Sequence, residues 1–135
     1  MAALTQDRAT PYREGIEIEF PVAGATKIYA GSLVGANAEG FAVPAADTAG
    51  LKFLGVALEQ VDNTGGANGA KVVRLRRTGV FEFNAASITQ AMVGAPMYLK
   101  DDNTFDDAAG TTNNIKAGVL VKYVTDTKGW IDISR

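Results

Sequence analysis

The sequence predicts a mostly β chain, a compact barrel or sandwich with one short helix and an extended leading arm. Three observations carry this. Short apolar runs recur along the chain, each broken by glycines or Asn/Asp clusters, as expected for many short strands joined by turns. No amphipathic stretch of a dozen residues lies between them, so parallel βαβ units have no helices to build with. Residues 1–15 differ in kind from the rest: Thr5, Gln6, Asp7, Arg8, Thr10, Pro11, Arg13 and Glu14 are polar or structure-breaking and offer little to bury.

Taken in order, residues 1–15 read as an arm and residues 16–135 as a single β-rich domain. From Ile16 the pattern alternates strictly, with Ile16, Ile18 and Phe20 on one side and Glu17 and Glu19 on the other, the mark of a half-buried strand that Pro21 ends. Further strands are expected within Lys27–Val34, Phe41–Val43, Leu51–Val61, Lys71–Arg76, Val80–Phe83, Met97–Lys100, Ile115–Val124 and Trp130–Ile133. Ala85–Val93 is the one helical reading, about two turns, with Ser87 as N-cap, Ile88, Ala91 and Met92 inward, and Gly94 and Pro96 as stop signals. Val119, Leu120, Val121, Tyr123 and Val124 are apolar on both faces, which predicts a central strand covered on each side. Trp130, between strand residues near the end of the chain, reads as a core anchor.

Composition narrows the chemistry. At 135 residues the chain can bury a core of its own without disulfides or metal. It has no cysteine, which removes a disulfide framework, a thiolate nucleophile and sulfur-dependent zinc sites, and suits a reducing cytoplasm. It has no histidine, so the usual general base near neutral pH is missing and an enzyme is not expected. A net charge of −2 with both signs interspersed argues against a nucleic-acid partner. No run approaches the roughly 18 apolar residues of a membrane helix, and Met1–Gly15 lacks an apolar signal core, so neither a membrane partner nor export by that route is expected.

Three polar clusters remain. Gly65-Gly66-Ala67-Asn68-Gly69-Ala70-Lys71 resembles a phosphate loop, yet Ala70 stands where a Walker motif needs the Gly-Lys junction, and a strand follows instead of a helix; a turn between strands accounts for it. Asp101, Asp102, Asp106 and Asp107 form the densest carboxylate group. A calcium loop started at Asp101 meets Phe105 at its fifth place, and one started at Asp102 meets Asp107 at its sixth, so a hairpin around Asp102-Asn103 is expected and no metal or other cofactor. Lys71, Arg74, Arg76 and Arg77 make the one basic stretch; on a strand Arg74 and Arg76 share a face opposite Val73 and Leu75, either solvated or set against an acidic neighbour.

Several segments together resemble a known family. They are Ala3-Leu4-Thr5-Gln6-Asp7-Arg8, Val22-Ala23-Gly24-Ala25-Thr26-Lys27-Ile28-Tyr29-Ala30-Gly31, Gly55-Val56-Ala57, Val61-Asp62-Asn63-Thr64 with Gly69-Ala70-Lys71, and Arg77-Thr78-Gly79-Val80-Phe81-Glu82-Phe83. Val93-Gly94 to Tyr98 and Asp101-Asp102 complete the set, which spans nearly the whole chain. In order and spacing they resemble the capsid cement, or head decoration, proteins of phages and prophages. That resemblance implies a compact, β-tulip-like module, commonly trimeric, made in the bacterial cytoplasm and bound to the major capsid protein at local three-fold positions outside the mature shell. It implies no catalytic residues. It also implies an arm that can add β structure to the capsid protein, where Leu4 and Tyr12 would fill pockets, Arg8 and Arg13 would meet carboxylates, and Thr5 and Gln6 would lie along the contact. Arg74 and Arg76 are the next candidates. Other virion roles, a head-fibre base or a neck or tail adaptor, and a small-molecule-binding barrel stand as alternatives.

Overall fold

The structure, a computed structural model, describes residues 2–134. Its strands are β1 (Glu17–Pro21), β2 (Thr26–Ile28), β3 (Leu33–Ala36), β4 (Ala42–Pro44), β5 (Lys52–Ala57), β6 (Val61–Asn63), β7 (Val72–Arg76) and β8 (Val80–Ala85). They are followed by β9 (Pro96–Leu99), β10 (Thr104–Asp106), β11 (Lys116–Thr125) and β12 (Lys128–Asp132). The fold is mostly β, with a closed five-stranded barrel and additional sheets.

The first half of the chain builds a five-stranded sheet in the order β1-β7-β5-β3-β4, with β2 and β6 paired as a separate ribbon. Beyond β1 the chain crosses between the two sides of this sheet. Val22 N–H donates to the Lys71 carbonyl before β7, at 2.9 Å, and Ala23 N–H to the Ala42 carbonyl of β4, at 3.0 Å, so the sheet's edges meet at one end. The second half closes a barrel, β10-β8-β12-β11-β9, in which β10 runs parallel to β8 and antiparallel to β9.

Two apolar clusters meet along β3 and β5, because successive residues of a strand point to opposite faces. Leu33, Phe53 and Val56 join the barrel residues Phe83, Met97, Leu99, Phe105, Leu120, Ile131 and Ile133. Val34 and Ala57 face the other way, where they pack with Val22, Ile28, Val61, Val73 and Leu75. Where β5 meets β7, a Cβ on Gly55 would stand 2.4 Å from the Arg76 carbonyl oxygen, so only glycine permits that approach.

Several sequence expectations need correction. The runs Lys27–Val34 and Leu51–Val61 each hold two strands instead of one. The first is broken at Gly31, whose φ of 81° belongs to a turn, and the second between β5 and β6. Ile16 lies just outside β1 and is 48% exposed, although the alternation of Ile18 and Phe20 against Glu17 and Glu19 holds.

The helix expected over Ala85–Val93 is replaced by one 3-10 turn, Gln90–Met92, preceded by Thr89 and without a side-chain cap. The barrel claims the start of this segment: Ala85 ends β8, and the N–H groups of Ala86 and Ile88 donate to the carbonyls of Phe105 and Asp126. Thr89 is still extended and Val93 has left helical geometry, so only the bonds from Met92 N–H to Thr89 and from Val93 N–H to Gln90 remain, one 3-10 turn. Ile88 and Met92 do face the core; Ala91 is exposed, and Ser87 caps nothing. β11 lies between β12 and β9, but a barrel wall is covered on one face only. Val121 and Val124, at two bulges, are 42% and 41% exposed instead of covered. Trp130 is not a core anchor: Gly129, Ile131 and Ile133 take the inward positions of their strand, so period-two geometry turns Trp130 outward, half-buried between Lys122 and Glu82 on the flanking strands.

Candidate functional site

The polar clusters that sequence analysis singled out shape loops. Asp101 Oδ1 accepts the Asn103 N–H at 2.8 Å inside the turn joining β9 to β10, the hairpin expected around Asp102-Asn103. Asp106 and Asp107 accept the N–H groups of Asp107 and Gly110, at 2.8 and 3.0 Å, and Lys100 Nζ lies 3.7 Å from Asp106. Partial burial, with the Asp101 charge second, holds the Asp102 carboxyl above the usual aspartate range. Among the described residues no group of three or more His, Cys, Asp or Glu is arranged to hold a metal.

The Gly65–Lys71 segment is a turn, as expected, and a buried asparagine organises it. Asn63 Nδ2 donates to the carbonyls of Ala23 and Ala67, at 2.9 and 3.0 Å, while Asn68 Oδ1 accepts the Gly24 N–H at 2.8 Å. Of the segment's own N–H groups, that of Gly69 donates to the Val22 carbonyl at 2.9 Å and those of Gly66 and Ala70 to the Asn63 and Ala67 carbonyls at 3.1 Å, so they are used to tie the turn together and to a second chain segment.

The leading arm is the part of the molecule without such internal attachments. Residues 2–15 are exposed throughout, with Leu4 72% and Tyr12 84% accessible and Thr5 and Gln6 open to solvent. Among the described residues, none from 2 to 14 takes part in a backbone–backbone hydrogen bond. Arg8 donates to the Thr10 hydroxyl at 3.0 Å. Arg13 makes a forked contact with Glu19, at 3.0 and 3.1 Å, which draws that carboxyl below the usual glutamate range.

Arg74 and Arg76 share one face of β7, as their spacing predicts, but that face already carries its counter-charges. Glu17 and Glu19 stand opposite them across the β1–β7 register. Arg74 lies 3.9 Å from Glu17 and 3.5 Å from Glu59, and Arg76 lies 3.7 Å from Glu17. The pair is a segment of an ion-pair ladder within one chain. The arm and the ladder come together at a groove of about 520 Å³ lined by Arg13, Glu14, Ile16, Glu17 and Arg76.

Two features escaped sequence reasoning. One is the open edge of β1. Ile16 and Val22 bond to Arg77 and Lys71, and in an antiparallel pair such bonding alternates, so Ile18 and Phe20 direct their peptide groups to β7 while Glu17 and Glu19 direct theirs outward. Strand alternation revealed which side chains share a face, but edge position depends on the partner order. The other is Asp47, which accepts the N–H groups of Thr112 and Asn113, at 2.7 and 2.9 Å, and so ties the first half to the loop before β11. Nothing local marks it, since its partners lie 65 and 66 residues away. Compared with protein-family models, curated proteins and solved structures, the chain matches none.

Proposed function

We propose that this chain is a bacteriophage head decoration protein, a cement that binds the major capsid protein on the outside of the mature icosahedral shell. In this reading it performs no catalysis and uses no cofactor. The observation that carries the proposal is the fully exposed arm beside a closed, well-packed β body, in a chain whose segments resemble the cement family. An exposed strand-forming segment supplies backbone donors and acceptors to a partner's sheet edge, while alternate side chains set specificity. Leu4 and Tyr12 are the apolar side chains it offers, flanked by Thr5 and Gln6. Arg8 has no carboxylate partner among the described residues, whereas Arg13 would have to exchange Glu19 for one on the shell.

The mechanism is mass action. A ligand that binds only the mature lattice stabilises it by its differential affinity, and copies grouped as a trimer multiply modest contacts by avidity. The Arg74 and Arg76 face is a weaker candidate because its charges are balanced within the chain. The small-molecule reading loses ground because Phe105, Leu120 and Ile131, all fully buried, occupy the barrel interior.

Co-sedimentation with mature shells tests the proposal. Removing residues 2–7 should abolish most shell binding while leaving the melting temperature nearly unchanged, since those residues contribute nothing to either core. Equal binding by both proteins would rule out arm docking.

A further inference from the structure

We propose that the open edge of β1 receives the arm of a second copy, with Arg8–Tyr12 adding to it as an antiparallel strand. The inference rests on the self-association in the reading above and names the surface responsible; it assigns Arg8 and Tyr12 to the neighbouring copy and leaves Ala2–Asp7, with Leu4, Thr5 and Gln6, for the shell.

The edge sets three requirements. Glu17 and Glu19 present their N–H and C=O groups outward, and the edge closes at its far end, where Pro21 has no N–H and β4 bridges Val22 through Ala42, whose carbonyl accepts the Ala23 N–H at 3.0 Å. On the inner face Ile18 and Phe20 pack against the second core yet remain half-buried, so an added strand should cover them with small apolar groups. On the outer face it meets two glutamates. Pairing with another β1 would set glutamates against glutamates, which is destabilising.

The arm meets all three in a single phase. Ala9 and Pro11 alternate with Arg8, Thr10 and Tyr12. Pro11 cannot donate, so it must occupy a non-bonded position, leaving Thr10 and Tyr12 to bond the outward backbone groups of Glu19 and Glu17, with Arg8 at the end of the pairing where β4 closes the edge. Residues opposite each other share a face, so Thr10 opposite Glu19 and Tyr12 opposite Glu17 put Pro11 over Ile18 and Ala9 over Phe20. Arg8 then stands diagonally from Glu19, within reach of a long side chain.

The donor is a second copy because the chain does not fold its own arm back. A two-residue turn at Glu14-Gly15 would need a positive φ, and neither residue has one. It would also carry Arg13 to the inner face opposite Ile16, whereas its guanidinium is bound to Glu19 on the outer face. An arm reaching the next copy is a head-to-tail contact of the kind that closes into rings, as a trimer requires.

The absence of native cysteine makes cross-linking unambiguous. A non-bonded antiparallel pair holds its Cα atoms about 4.5 Å apart, inside the range a disulfide spans. Separately tagged Pro11→Cys and Ile18→Cys proteins, mixed and oxidised without shells, should yield a disulfide-linked product carrying both tags. Ala9→Cys with Phe20→Cys provides a second pair should the first disturb folding, and Val124→Cys on the barrel wall is the control partner. Cross-linking no greater than with Val124→Cys would overturn the proposal. So would a double variant, Pro11→Cys with Ile18→Cys in one chain, that closes only within itself. Because no shell is present, failed shell binding would refute the decoration reading and leave this result standing, and the reverse.

Discussion

The two halves of the molecule solve the same problem differently. The barrel, β8 to β12, pairs every strand on both sides and keeps no free edge, at the expense of leaving Val80, Val121 and Val124 exposed on its outer wall. The five-stranded sheet instead leaves Glu17 and Glu19 facing outward at β1, and lays alternating charges across β1 and β7. Edge protection by closure yields a rigid body. Edge protection by charge leaves a site that the right strand can still enter, and the arm attaches at that half.

The largest effects are expected in the two cores. Phe105, fully buried in the barrel cluster, and Leu75, fully buried in the other, should cost about 3–5 and 2–5 kcal/mol respectively when replaced by alanine. Because β3 and β5 contribute to both clusters, either variant should lower a single cooperative melting transition. Calorimetry that resolved two transitions, only one of them moved by each substitution, would mean that the halves unfold separately.

What the sequence disclosed follows the same division. Period-two patterns are local, so the strand content, the β1 alternation, the shared face of Arg74 and Arg76, and the turns at Gly65–Lys71 and Asp102-Asn103 were all legible. The helix expected at Ala85–Val93 failed because distant segments claim it, through the carbonyls of Thr127, Phe105 and Asp126. The core placement of Trp130 failed for a local reason: the alternation with Ile131 and Ile133 already turns it outward, and only the size of its ring argued for the core. The open edge and the Asp47 contact were invisible because, as with the helix, distant segments decide them. The arm was legible as a segment with nothing to bury, but its fit to β1 needs the register and the position of Pro11 together.

The join between halves gives the next test. The N–H groups of Thr112 and Asn113 hold the Asp47 carboxyl below its ordinary 3.8. A depressed folded-state value means that Asp47 contributes stability that is fully present above pH 3.8 and is lost as the pH falls through the folded value. Asp47→Asn should therefore be less stable than the parent at neutral pH, and the difference should shrink as the solution is acidified below the ordinary aspartate range. Denaturant titrations of both proteins across that window measure it. A difference independent of pH would show that the side chain's shape, and not its charge, makes the contact.

The smallest effect belongs to the ladder. Arg74 is 56% exposed, and its approaches to Glu17 at 3.9 Å and Glu59 at 3.5 Å lie in solvent, where water competes for both charges and long side chains lose entropy on pairing. Arg74→Ala should cost only about 0.2–1 kcal/mol, and most of that should vanish at about 1 M salt, where the screening length falls to about 3 Å. The loss from Phe105→Ala should hardly respond to salt, because it comes from packing. Paired denaturation curves at low and high salt thus separate the two halves by mechanism. If Arg74→Ala instead approached the cost of the core variants and ignored salt, the ladder would be a structural seam like the barrel wall. The charged edge would then no longer differ in kind from the closed one.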